Sequence, residues 1–191
     1  TAARPILQVY TTVFLHGAGQ GHVFMPAFTY TPPAAQPETS IVWDGLQGDV
    51  VVGVQGKHVT AAFQTPGLQL VGAERTFALH DARMRTDVLT KRRNRNRSDT
   101  SVRIGSMALT SHTETQATWA VTGAELRTTT TTASGTLQAV ADVRLETLRL
   151  ADAAYGSGTS HLEIQRLHLP ALVRLLQALR VLQQAEPDLA S

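Results

Sequence analysis

The sequence predicts a mainly β protein with one C-terminal helix: a long, twisted antiparallel sheet with that helix packed on one face. Three observations carry this expectation. Period-2 runs rich in valine and threonine recur along most of the chain and are punctuated by glycine and proline. No helical pattern intervenes between them, so nothing supplies the crossovers that a parallel sheet requires. Only over residues 170–184 do apolar side chains fall at helical spacing.

The chain in order begins with residues 6–16, whose β-branched and aromatic content reads as a strand. A glycine-rich loop follows, His16-Gly17-Ala18-Gly19-Gln20-Gly21-His22, and residues 23–30 form the second arm of a hairpin. Pro26 places that arm at an edge or a bulge, because proline cannot donate to a ladder. Residues 31–39, with Pro32, Pro33 and Pro37, are the linker between this hairpin and the main sheet. Short apolar runs broken by glycine then fill residues 40–90. Within them Phe77, Leu79, Asp81, Arg83 and Arg85 share one strand parity, so that face passes from core to solvent.

Further on, apolar parity changes repeatedly. Val102 and Ile104 lie on one parity and Met107 and Leu109 on the other, with Gly105 between them, which reads as a bulge. Leu137, Ala139, Ala141, Val143 and Leu145 alternate with polar residues and give the clearest strand, an apolar face able to bind a hydrophobic ligand. Leu148 and Leu150 switch parity, and Leu162 and Ile164 against Leu167 and Leu169 switch again. A turn at Tyr155-Gly156 leads through this last strand to the helix. There Pro170 suits the first turn, and Leu172, Leu175, Leu176, Leu179 and Leu182 form the stripe. Glu186-Pro187 closes it.

Composition bounds the function. At 191 residues, 42% of them hydrophobic, the chain can form a single β-rich domain spanning 1–191. Its formal net charge of +2 comes largely from one cluster, which argues against the chain as a whole binding nucleic acid. With no cysteine there is neither a disulfide framework nor a thiolate metal site. No apolar run approaches the roughly 18 residues of a spanning helix. The chain opens at Thr1 without an initiator methionine or a signal-like segment. It therefore reads as a mature form or a fragment of a longer protein, with any membrane anchor outside it.

Candidate chemistry is sparse. The loop between His16 and His22 lacks the Lys-Ser/Thr of a phosphate-binding loop, and no G-x-S-x-G nucleophile elbow occurs anywhere. His16 and His22 could begin a metal site, but no third ligand lies near them in sequence. His58, His80, His112, His161 and His168 read as solvent-facing sheet residues, and the carboxylates show no spacing for paired acid–base work. Lys91, Arg92, Arg93, Arg95 and Arg97 are the one dense basic run. They form an exposed turn and a candidate contact for an anionic partner, without the interleaved aromatics of a single-strand nucleic-acid binder. No catalytic residue, metal ligand or cofactor is assigned.

Several of these features together resemble the YdgA-like family of bacterial envelope proteins. The resemblance rests on Tyr155-Gly156, the strand Leu162-Glu163-Ile164 and the segment Leu167-His168-Leu169-Pro170-Ala171-Leu172. Upstream, Trp43-Asp44-Gly45-Leu46-Gln47-Gly48 and Thr65-Pro66-Gly67-Leu68 also carry it. It spans residues 40–184, and His168 stands where the family pattern more often has Asp. The resemblance implies a protein facing the periplasm from the inner membrane, with no catalytic residues to carry over. The expected function is a non-enzymatic envelope module that binds or scaffolds, holding a lipid or a hydrophobic protein segment. A structural part of a larger homo-oligomeric envelope protein is the alternative, and a hydrolase using His16 or His22 is the outlying one.

Overall fold

The computed structural model describes residues 7–32, 39–91, 95–113 and 118–168, together with Pro170, Ala171 and Arg174. The strands are β1 (Gln8–Val13), β2 (Gly19–Met25), β3 (Phe28–Tyr30), β4 (Ser40–Trp43), β5 (Leu46–Val52), β6 (His58–Val71) and β7 (Arg75–Lys91). They continue with β8 (Arg95–Ser111), β9 (Trp119–Ala133), β10 (Thr136–Leu145), β11 (Thr147–Leu150), β12 (Ala153–Tyr155) and β13 (Gly158–His168). All belong to one sheet, ordered β1-β2-β5-β6-β7-β8-β9-β10-β13, and every pairing is antiparallel. The short strands complete longer ones. β4 pairs with β6 from Ser40↔Val71 to Trp43↔Leu68, and β5 resumes the same register at Gln47↔Gln64. β10 and β11 continue one another along β9 in the same way. The result is a meander of long hairpins, with β7 and β8 each 17 residues long, about 55 Å at the rise of a strand.

A line of unpaired residues crosses this sheet from strand to strand. The β6–β7 ladder skips from Thr65↔Ala82 to Gly67↔His80, leaving Pro66 and Asp81. The next two ladders skip Asp81 with Gly105, and Gly105 with Gly123. Gly45 and Glu146 extend the line at the breaks between β4 and β5 and between β10 and β11. Backbone φ is positive at Gly45 (100°), Asp81 (49°) and Gly123 (61°). The glycines answer to their neighbours: Asp44 occupies the space a side chain on Gly67 would need, Asp81 crowds Gly105, and the Glu146 carboxylate lies over Gly123. Apolar parity inverts at this seam in successive strands. On β7 the odd positions are apolar at Phe77 and Leu79 but carry charge at Arg83 and Arg85.

The seam corrects the reading of Gly105 as a lone bulge. A bulge adds a residue to one strand only, whereas here each strand skips one and the register is kept. The switch near Leu167 is a true bulge: the β10–β13 register shifts between Leu137 and Ala139, and Arg166 has φ 53°.

Residues paired across antiparallel strands share a face, so the registers define files of side chains across the sheet. On the far side of the seam one file holds Phe28, Trp43, Leu68, Leu79, Met107, Val121, Leu148 and Tyr155. The next holds Tyr30, Ile41, Leu70, Phe77, Leu109, Trp119 and Leu150. Phe28 stacks on Trp43 with ring centroids 6.1 Å apart, and Phe77 leans towards Trp119 at 6.4 Å. Yet among the described hydrophobic residues only Ala61 (8% exposed) and Val121 (6%) are buried. The apolar surface is gathered into files, but it is not enclosed.

The expected C-terminal helix packed on one face is therefore a correction. Among the described residues every regular element is a strand except one 3-10 turn at Val54–Gly56, and the sheet is long and open. Pro170, Ala171 and Arg174 have helical backbone and are exposed. The leucine stripe from Leu172 to Leu182 lies outside the described residues, as does most of the predicted proline-rich linker at 33–38. The physical reason is the spread of apolar residues. They occupy files across the full width of the sheet, which a helix of roughly 22 Å could not cover.

The seam makes a direct prediction. Gly123→Ala forces a side chain into a left-handed backbone and displaces Glu146, and is expected to lower stability by about 1–3 kcal/mol. Gly156, with nothing within 4 Å of an added Cβ, is the control, and its Ala variant should stay within about 0.5 kcal/mol of the parent. Denaturant unfolding of both variants checks the difference.

Candidate functional site

On the near side of the seam the two faces separate by chemistry. One file runs through Tyr10, His22, Asp49, Ala62, Arg85, Ser101, Arg127, Asp142 and His161. Beside it lie Gln47, Gln64, Arg83, Arg103, Glu125 and Arg144. A groove of about 690 Å³ opens on this face, lined by His22, Asp49, Gln64, Arg83, Arg85 and Arg103 among others.

Its charges are organised by cross-strand pairing. Arg83 and Arg103 stand directly opposite one another, an arrangement that destabilises unless countercharges intervene. Arg83 Nε donates to Asp81 Oδ1 at 2.8 Å, and Arg103 Nε donates to Glu125 Oε1 at 2.9 Å. The same oxygen accepts from Arg127 Nε at 2.8 Å. Hydrogen bonding from Arg127, then from Arg103, holds the Glu125 carboxyl below its ordinary range. Arg97 and Thr129 do the same for Asp99, Arg97 having the larger effect. The Arg85 guanidinium, between Ala62 and Ser101, has no hydrogen-bonded partner among the described residues.

Three histidines each meet an aspartate on the neighbouring strand. His22 contacts Asp49, His58 Nε2 lies 2.8 Å from Asp87, and His161 Nδ1 lies 2.6 Å from Asp142. The hydrogen bond from His58 is the largest cause lowering Asp87, and the bond to Asp142 is the largest cause raising His161. These pairs do not assemble a relay. His58 Nε2 faces both Asp87 and, at 3.4 Å, Thr60, so one nitrogen serves carboxylate and hydroxyl alike, whereas a nucleophile–base–acid chain uses both ring nitrogens. Among the described residues no three His, Asp or Glu side chains converge as a metal would require.

The sequence-predicted residues fall as follows. His16 and His22 do not meet: His16 stacks on Phe14 at 5.7 Å, while His22 lies within β2 against Asp49. The tight turn between β1 and β2 closes on itself, Phe14 N–H donating to Ala18 O and Gly17 N–H to Phe14 O, so these two amides are already engaged. Lys91 and Arg95 are paired at the end of the β7–β8 hairpin, and Arg97 is bound to Asp99. The strands thus run into the basic segment, while Arg92 and Arg93 lie outside the described residues. Leu137, Ala139, Ala141, Val143 and Leu145 share one face of β10, opposite in parity to Asp142 and Arg144.

That face continues across the sheet. Val9, Val23, Gly48, Phe63, Met84, Val102, Leu126 and Val143 form a single file, in which the Phe63 ring fills the space above Gly48. Val9 (58%), Met84, Leu126 and Val143 (each 38%) remain exposed. The arrangement defines a sheet with a charge-ordered polar face and an accessible apolar one.

The chain belongs to a bacterial protein family of unknown function (DUF945), whose family model matches residues 1–190. No curated protein and no solved structure matches it.

The His161–Asp142 pair gives a pH signature. Because the folded-state value is raised above 6.5, the pair's contribution to stability is present below that value and is lost as pH rises through the raised one. Asp87 behaves oppositely, its contribution being lost as pH falls through a lowered carboxyl value. Histidine NMR should show His161 titrating above 6.5, and Asp142→Asn should remove the shift. A wild-type His161 titrating at or below 6.5 would contradict the pairing.

Proposed function

We propose that this chain is a non-enzymatic binding module of the bacterial cell envelope, of the YdgA-like kind, which holds lipid acyl chains against the apolar face of its sheet. The observation that carries this reading is the exposed file from Val9 to Val143. Among the described residues only Ala61 and Val121 are buried hydrophobics, so much of the apolar surface that a globule would cover is open. Apolar patches larger than a few hundred Å² mark interaction sites in soluble proteins.

The direction of the file favours hydrocarbon over an extended peptide. It runs across the strands rather than along an edge, so a peptide laid in it would bury its own N–H and C=O groups without partners. An acyl chain has no such groups. Lys91 and Arg95, exposed at the hairpin end, share the parity of Arg83 and Arg103 and so extend the polar face, opposite the file. A place on the periplasmic side of the inner membrane suits such a ligand and the resemblance to envelope proteins. No helix among the described residues is long and apolar enough to cross a membrane.

Protein purified without detergent should release acyl-chain ligands on solvent extraction, detected by mass spectrometry. Leu126→Glu places a carboxylate within the file and is expected to reduce that occupancy severalfold while circular dichroism still reports the sheet. Empty extracts from both proteins would end the lipid reading and favour a hydrophobic protein segment or a purely scaffolding role.

A further inference from the structure

β13 is the edge strand beyond β10, and no described residue covers its outer side. All but one of its residues are exposed, and among the described residues no strand pairs with its outer side. Natural edges are blunted by proline, lysine, bulges or a covering element. Over residues 158–164 β13 has neither proline nor lysine, and its bulge lies further on, at Arg166. Along this stretch Leu162 (59% exposed) and Ile164 (37%) share one side. Thr159, His161 and Glu163 alternate with them on the other.

We infer that β13 pairs antiparallel with β13 of a second copy, on a two-fold axis through Leu162, extending two sheets into one. In an antiparallel pair about a two-fold axis, opposed residues must lie on the same face, so only registers centred on a residue are allowed. Centring on His161 or on Glu163 sets like groups against each other. Centring on Leu162 sets His161 against the partner's Glu163, twice by symmetry, and Leu162 against its own copy. Ser160 then faces the partner's Ile164. Opposite charges directly across a ladder stabilise it and like charges oppose it.

The internal contacts of β13 suit this register. His161 Nδ1 is engaged by Asp142 of its own chain at 2.6 Å, which leaves Nε2 to donate across the edge. Among the described residues the Glu163 carboxylate is hydrogen-bonded by Gln165 alone, which donates to Oε1 at 2.8 Å, and its other oxygen remains able to accept. The other edge offers no equivalent complement: β1 presents Gln8, Tyr10 and Thr12 on the polar side. Joining β1 to β13 would also propagate without closing, whereas the β13 dyad closes after two chains.

The pairing is independent of what occupies the apolar face, so delipidated protein tests it as well as loaded protein does. The chain has no cysteine, and Leu162→Cys is expected to give a disulfide-linked dimer under mild oxidation, since directly opposed Cα atoms lie within bridging distance. Thr159→Cys, displaced from its copy by six positions, should not. Glu163→Lys should raise the dimer dissociation constant at least tenfold in sedimentation equilibrium without lowering the melting temperature at monomeric concentrations. Equal cross-linking at positions 159 and 162, or a wild-type chain that stays monomeric through the micromolar range, would overturn the pairing.

Discussion

The structure depends on one constraint, the uninterrupted antiparallel hydrogen-bond ladder whose register survives the seam. From β2 to β11 each long strand skips a residue at the same level. The pairing therefore resumes with Thr122↔Ser106, His80↔Gly67 and Trp43↔Leu68 as though nothing intervened. This lets the apolar set change parity without breaking a sheet of this width. Glycines at Gly67, Gly105 and Gly123, each crowded by an acidic side chain from a neighbouring strand, make the shared kink sterically feasible. Left-handed backbone at single positions supplies its geometry.

A second consequence is that stability is distributed rather than central. With only Ala61 and Val121 buried among the described hydrophobic residues, no compact core supplies the usual driving force. Backbone pairing and side-chain files across strands carry the fold, and each contributes modestly. The polar face follows the same pattern, with Arg103, Glu125 and Arg127 sharing one carboxylate oxygen and the histidines each held by one aspartate. Such contacts order the face, but being exposed they add little stability individually. A sheet of this kind is consistent with a surface that meets something else.

Much of this was legible in the sequence, within limits set by physics. Alternation over Leu137 to Leu145 correctly marked one strand face, and the parity changes around Gly105 and at Leu148 were visible as local events. That they lie on one line could not be read, because their alignment depends on registers between strands far apart in the chain. The His–Asp pairs were hidden for the same reason: His22 and Asp49 are 27 residues apart, and His161 and Asp142 are 19 apart. Taken singly, such histidines read as solvent-facing, and they are exposed, but each has a partner. The helix expectation went further than local periodicity allows. A leucine stripe states what a segment could bury, not where it is placed.

We propose that the apolar face of the near half, left uncovered by the described residues, is closed by a ligand. The most direct measurement is the thiol reactivity of a Leu126→Cys variant, the sole cysteine in the protein, towards a maleimide before and after lipid is restored. Rapid labelling of delipidated protein, slowed at least tenfold by acyl lipid, is the expected result. Slow labelling of the delipidated monomer would show that the chain covers this face by itself, and would contradict the account.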